Sequence, residues 1–274
     1  MHKQLTALAL AALAALPAHA AVSLIATDLD YSETFDTLAS ATSSTNIAWA
    51  NDSTLAGWSL FNRPNGTAAP TYRGDDGNSN TGHFFSYGST GNSDRALGSI
   101  GSGGAASYWG TVANGATAGY IALALQNNTG KTIDSFKLSY DGEQWRNGGN
   151  ATAQAMTVQY GFGASFADVA DWGDLSSLTF TSPVASTTSD DLNGNLAANR
   201  APGLTQTVES LTWANGSTLW VRWAEVNNAG NDHGLAIDNV AFTATVSAVP
   251  EPQTYALMLG GLGLVGWMAR RRKA

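Results

Sequence analysis

The chain has 274 residues, 13 basic and 21 acidic side chains for a net charge of −8, 30 glycines, nine tryptophans and no cysteine. The missing thiol excludes disulfides, thiolate metal sites and a cysteine nucleophile, while the tryptophans supply apolar surface for a substantial core. Within residues 21–249 eight basic side chains stand against twenty acidic ones, a net −12. A field of that sign repels phosphate backbones and suits cations or neutral sugars, so nucleic acid is not an expected partner.

In chain order, His2 and Lys3, the apolar run Leu5 to Leu16 and the small-residue site Ala18-His19-Ala20 have the layout of a secretory signal peptide over residues 1–20. The body that follows, 21–248, has no Pro- or charge-rich linker and is expected to form one domain. Short apolar alternations separated by Gly, Asn and Asp clusters fill it, the pattern of antiparallel β-structure. Ile121, Leu123 and Leu125, the turn Asn127-Asn128-Thr129-Gly130, and Phe136, Leu138 and Tyr140 predict a hairpin closed by Asp141-Gly142. Met156, Val158, Tyr160 and Phe162 predict a further strand face, Ser165 to Trp172 a helical turn or two, and Leu219, Val221 and Trp223 a strand with Trp220 and Arg222 on its reverse. In the last strand Leu235 and Ile237 share one parity, and Val240, Phe242, Ala244 and Val246 the other; the flip at Asp238-Asn239 predicts a β-bulge. The expected fold is all-β, an antiparallel jelly-roll-like β-sandwich. Long polar loops at Gly74–Gly82, Gly88–Gly104 and Asn193–Pro202 fall where binding residues usually collect.

At the end of the sequence Val249-Pro250-Glu251-Pro252 breaks the chain, and residues 253–269 are apolar apart from Gln253, Thr254 and glycines. They suffice for a helix of roughly 25 Å, predicted to span a membrane at the short limit. Arg270, Arg271, Arg272 and Lys273 would keep its end on the cytoplasmic side. In that order, over residues 249–274, the three parts resemble the PEP-CTERM sorting signal of exosortase-processed bacterial proteins. The resemblance implies an exosortase-type enzyme as partner, a tail held in the inner membrane, a cut near Pro250 to Pro252, and delivery of the body to the cell surface or an exopolysaccharide matrix.

Three segments of the body, Glu33-Thr34-Phe35-Asp36, Gly142-Glu143-Gln144-Trp145-Arg146 and the run Asp232 to Val240, resemble lectin-like sandwich ectodomains that precede surface anchors. That resemblance implies binding or structural roles more often than catalysis, with the first and last strands as neighbours. Glu33, Asp36 and Asp238 would then clamp a calcium ion, with carbonyls or water completing its six to eight oxygens; the alternative is that these carboxylates hydrogen-bond local backbone. Glu143, Trp145 and Arg146 read either as a glycan site, the indole stacking on a sugar ring, or as a core tryptophan with its neighbours paired. Trp220 and Arg222 carry the same two readings.

Asp76, Asn78 and Asn80 alternate like the start of an EF-hand, but Thr81 replaces the turn glycine and Tyr87 the bidentate glutamate. Asx turns explain that loop. No serine sits in a G-x-S-x-G frame, and His83 and His233 have no zinc spacing. The expected function is therefore a non-enzymatic, exported surface or matrix protein, calcium-stabilised and contacting exopolysaccharide. The alternatives are a secreted glycan-active hydrolase using two loop carboxylates about 5 to 9 Å apart, and a component of a larger surface assembly.

Overall fold

A computed structural model describes residues 21–40, 43–63, 65–101, 108–246 and 252–271. The predicted signal peptide and Val249, Pro250, Glu251 and Arg272 lie outside them. The strands are, in chain order, β1 Val22–Leu24, β2 Asp30–Glu33, β3 Ser43–Ala48, β4 Trp58–Phe61, β5 Thr71–Asp75, β6 His83–Tyr87, β7 Ala96–Ile100 and β8 Ala116–Asn127. Then come β9 Ile133–Asn147, β10 Ala155–Phe162, β11 Gly173–Asp174, β12 Phe180–Thr181, β13 Asp190–Asp191, β14 Arg200–Val208, β15 Thr218–Asn227 and β16 Gly234–Val246. They form two sheets. A seven-stranded one runs β1-β8-β15-β10-β11, with β4 beside β8 and β12 beside β10; a nine-stranded one runs β13-β9-β16-β7-β6-β5-β3, with β14 beside β9 and β2 beside β16.

Period-two alternation turns one side of each sheet inward. Ile121, Leu123 and Leu125 of β8 and Leu219, Val221 and Trp223 of β15 meet Phe136, Leu138 and Tyr140 of β9 and Leu235, Ile237, Val240 and Phe242 of β16 in one buried cluster. Trp223 stacks on Trp58 of its own sheet at 5.6 Å and meets Tyr140 of the other sheet edge-on at 5.8 Å. Offset and edge-on ring pairs of this kind add to the burial of their area. The two-sheet sandwich expected from the alternation is thus present.

The predicted hairpin is not. β8 pairs with β15 in the seven-stranded sheet, whereas β9 pairs with β16 and β14 in the nine-stranded one. The turn at Asn127 to Gly130 is therefore an arch between sheets: Asn127 accepts from Thr129 and donates to the Lys131 and Trp213 carbonyls. Alternation and turn chemistry are the same for an arch and a hairpin, which is why the sequence pattern did not separate them. Nor does Asp141-Gly142 close β9, which continues to Asn147. Gly142 sits there because a Cβ would lie 2.3 Å from the Phe180 ring.

The bulge agrees with expectation, whereas the strand beside the last one is the second, because the first, β1, pairs with β8 in the other sheet. The register of β16 shifts between Asp238 and Ala241, and Asn239 takes a left-handed φ of 50°, a conformation asparagine tolerates better than most residues. β2 pairs antiparallel with β16, Glu33 opposite Val240. A 3-10 turn at Phe166–Asp168 occupies part of the predicted helical stretch.

The tail forms one helix, α1, Pro252–Arg271. It is not a core helix: Leu257 is 76 % exposed, and Leu259, Leu262, Leu264 and Trp267 are exposed as well. The predicted transmembrane span over 253–269 needs correction, because among the described residues no helix is long and apolar enough to cross a membrane. Gly260, Gly261, Gly263 and Gly266 dilute its apolar surface, and its apolar stretch 253–269, roughly 25 Å of the helix, falls short of a hydrocarbon core of about 30 Å.

Candidate functional site

The outward sides of the two sheets carry the polar chemistry. On the nine-stranded sheet, Asp141, Glu143 and Trp145 alternate along β9, and Asp238 of β16 faces Asp141 across the ladder while Ala236 faces Glu143. Except for Asp141, these side chains are buried. Trp145 and Glu143 are each 1 % exposed and Asp238 2 %. Trp145 stacks parallel on Tyr87 with centroids 5.9 Å apart, its Nε1 donates to Glu143 Oε2 at 2.9 Å, and the backbone at Gly194 presses on the indole. It therefore offers no ring face to a sugar. Arg146 does not pair with Glu143 either, but donates through Nη1 to the carbonyls of Gly77 and Asn78 at 2.9 and 3.0 Å. Side chains an odd number of positions apart on a strand point to opposite faces, which separates Arg146 from Glu143.

Burial pushes the Glu143 carboxyl up to about 7, opposed by the Trp145 hydrogen bond and the Arg200 charge. Burial also pushes Asp238 up to about 8, aided by the carboxylates of Glu143, Asp94 and Asp36. Desolvation disfavours the charged form, and a like charge adds to it. Glu143 Oε1 has no hydrogen-bond partner.

The three residues expected to clamp calcium are committed locally. Glu33 Oε1 accepts from the Phe35 amide at 2.7 Å, and Asp36 accepts from the Arg95 amide and the Thr34 hydroxyl, both at 3.0 Å. Asp238 accepts from the amide and side chain of Asn239 at 2.6 and 2.9 Å. Among the described residues no group of three or more His, Asp or Glu is placed to hold a metal ion. The donor set does not fit calcium, because its lone pairs face backbone and amide donors. The Asp75 loop behaves as an Asx turn, Asp75 accepting from the amides of Gly77 and Ser79. His233 Nδ1 accepts from the Gly148 amide at 2.9 Å, and Asp232 accepts from the Asn228 amide, so they form no acid–base couple with each other.

The outward side of the seven-stranded sheet is different in kind. Tyr120 of β8, Trp220 and Arg222 of β15 and Phe61 of β4 share it, and the 3-10 turn lays Phe166 over them, stacked on Phe61 at 4.1 Å. Arg222 stands in a row across the strands, with Ala122 on one side and Gln159 on the other. Its Nε and Nη2 donate to Gln159 Oε1 at 2.8 and 2.6 Å, and the Gln159 amide in turn donates to Asp174 at 2.8 Å. The guanidinium carbon lies 3.8 Å from the Trp172 ring centroid and 4.3 Å from that of Tyr120. Burial lowers the Arg222 pKa.

A cleft of about 170 Å³ opens at this point, lined by Asn65, Phe166, Ala167, Val169, Trp172 and Arg222. Trp220, singled out with Arg222 from the sequence, is buried and only supports the floor. Trp172, Gln159 and Asn65 were not singled out. Gln159 meets Arg222 across 63 positions of sequence, a pairing that needs the strand register to be seen.

Residues 248–273 match the PEP-CTERM protein-sorting motif. No curated protein matches the chain. Among solved structures, the K1 cleaved adhesin domain of Lys-gingipain from Porphyromonas gingivalis is 14 % identical with a TM-score of 0.36, over 79 % of this chain and 98 % of that one. A CBM4 structure is 15 % identical with a TM-score of 0.31, over 69 % and 95 %. The N-terminal cellulose-binding domain of β-1,4-glucanase C from Cellulomonas fimi is 15 % identical with a TM-score of 0.30, over 70 % and 90 %.

Proposed function

We propose that this chain is an exported surface or exopolysaccharide-matrix protein, sorted through its C-terminal tail, whose jelly-roll-like body contacts glycan without turning it over. The observation that carries the reading is the match of residues 248–273 to the PEP-CTERM protein-sorting motif. Residues 1–20 direct export, the C-terminal tail anchors the chain at the inner membrane before processing, and an exosortase-type enzyme cuts near Pro250 to Pro252. A short helix diluted by glycine suits a hold that is later released. The exposed apolar side chains of α1 and the cations Arg270 and Arg271 at its end support this role.

The cleft beside Trp172 supports the glycan part, since an aromatic wall with a few placed polar groups is what sugar sites use. Glu143 and Asp238, the carboxyls that would serve hydrolysis, are closed off from a polymer by burial, which favours binding over turnover. Expression with and without an exosortase tests the sorting. The full chain should leave the inner membrane in shortened form only when the enzyme is present, and a chain deleted from Pro250 onward should be soluble and folded in either case. A full chain indifferent to the enzyme would overturn this reading. For the glycan part, affinity electrophoresis in gels containing neutral or acidic polysaccharides should retard the protein with no loss of polymer length. Depolymerisation that disappears in Glu143→Gln would replace binding by hydrolysis.

A further inference from the structure

We infer that the cleft formed by Arg222, Trp172 and Asn65 on the seven-stranded sheet binds a carboxylate-bearing sugar, a uronate residue of an acidic polysaccharide. This rests on the glycan reading and names the substrate class. Arg222 is a half-buried cation whose direct contacts are neutral, with the Asp174 carboxylate acting on it from beyond Gln159: Gln159 is its hydrogen-bond partner, and the rings of Trp172, Tyr120 and Phe166 lie 3.8, 4.3 and 5.9 Å from its guanidinium carbon. Among the described residues it makes no ion pair, in contrast to Arg200, which is bonded to Asp141. Two of its five N–H donors are spent on Gln159, so the rest of the fork is open to an acceptor.

The fork is also pre-set. Gln159 is held by Asp174, which fixes its oxygen toward Arg222, and the ring faces on two sides restrict the guanidinium plane. A planar fork held still between aromatic walls matches a carboxylate in two parallel hydrogen bonds, stronger than those it makes to a hydroxyl. The cleft's volume of about 170 Å³ is below the roughly 300 Å³ of a pocket for drug-sized ligands, which fits one ring and its carboxylate. Trp172 and Asn65, lining the same cleft, serve the ring and its hydroxyls.

The body's net charge of −12 opposes the approach of an acidic polymer at long range. That repulsion is screened over about 8 Å at physiological ionic strength, whereas the guanidinium acts at bonding distance. The nearby carboxylates Asp168, Asp171 and Asp174 are exposed to solvent, where their field is weakest.

Titration calorimetry on the purified full chain decides the matter, with tetragalacturonate, its fully methyl-esterified form, and acetate as probes. The free acid should bind, and the ester should bind roughly tenfold or more weakly, the loss expected when a charge-assisted hydrogen bond becomes a neutral one. Arg222→Gln should lose affinity for the acid by a similar factor, and Arg222→Lys should keep part of it, retaining charge without the fork. The ester comparison uses the unaltered chain and holds even if Arg222→Gln does not fold. Equal binding of ester and acid, undiminished binding by a folded Arg222→Gln, or acetate binding as tightly as the oligomer would each overturn the assignment. Retention of the protein by neutral polysaccharides with no preference for the acid would overturn this inference alone. Failure to bind any polysaccharide would overturn it together with the glycan reading.

Discussion

On the nine-stranded sheet the outward side is closed: Trp145, Glu143 and Asp238 are buried, and the indole has spent its N–H and both ring faces inside the protein. On the seven-stranded sheet the outward side is half open. Arg222 and Trp172 are only part-buried, and their mutual contact borders a cleft. Each face combines a tryptophan with an ionisable partner, yet one uses the pair to fill space and the other leaves it available. Burial, rather than residue type, separates an aromatic that stabilises from one that can bind.

Trp145→Ala should break the closed face first and most strongly. Removing a fully buried tryptophan costs about 3–5 kcal/mol, or roughly 6–20 °C in a domain of this size. Differential scanning calorimetry on the full chain measures it. A fall of under about 2 °C would mean that the loops over Trp145 open freely, and the contrast between the faces would collapse.

The second expectation concerns pH. Glu143 and Asp238 have folded values near 7 and 8, raised above unfolded values of about 4.3 and 3.9. The folded state therefore binds more protons than the unfolded one throughout that interval, so the stability these groups supply is complete below pH ~4 and is lost as pH rises toward 8. Glu225 and Asp232, raised by burial to about 8 and 6, act in the same direction. Chemical denaturation should show the protein more stable at pH 5 than at pH 8, and the double variant Glu143→Gln, Asp238→Asn should flatten part of that slope. An unchanged slope in the variant would show that the closed face is not the source.

Much of this architecture could be read from the residues. The parity flip at Asp238-Asn239 located the bulge, since a period-two strand that changes phase must carry an extra residue. A resemblance placed the first strand beside the last, and β2 rather than β1 holds that place in the ladder. What failed did so where local pattern is degenerate. The Asn127 to Gly130 turn looks the same whether its strands share a sheet or face each other across the core. Glu33, Asp36 and Asp238 form no metal-holding group among the described residues, since which way their lone pairs point depends on donors at Phe35, Arg95 and Asn239. The Arg222 cleft was least legible, because it is assembled from β15, the segment from Phe166 to Trp172 and the loop at Asn65, and no spacing links them.

Trp172→Ala is the smallest expected effect on stability and the sharpest test of the contrast. Trp172 is part-exposed; it packs on Phe166 at 5.3 Å and under the Arg222 guanidinium at 3.8 Å. Its loss removes one exposed cation–π contact, worth about 0.5–1 kcal/mol, so the melting temperature should fall by only about 1–4 °C. Glycan retention should fall much further, because Arg222 loses the wall that holds its plane and the sugar loses an aromatic face. Two substitutions of the same residue type would then part company: Trp145→Ala lowers stability and spares binding in whatever fraction stays folded, while Trp172→Ala spares stability and lowers binding. If Trp172→Ala melted as early as Trp145→Ala, the cleft would be part of the core, and the availability argued for its cation would disappear with it.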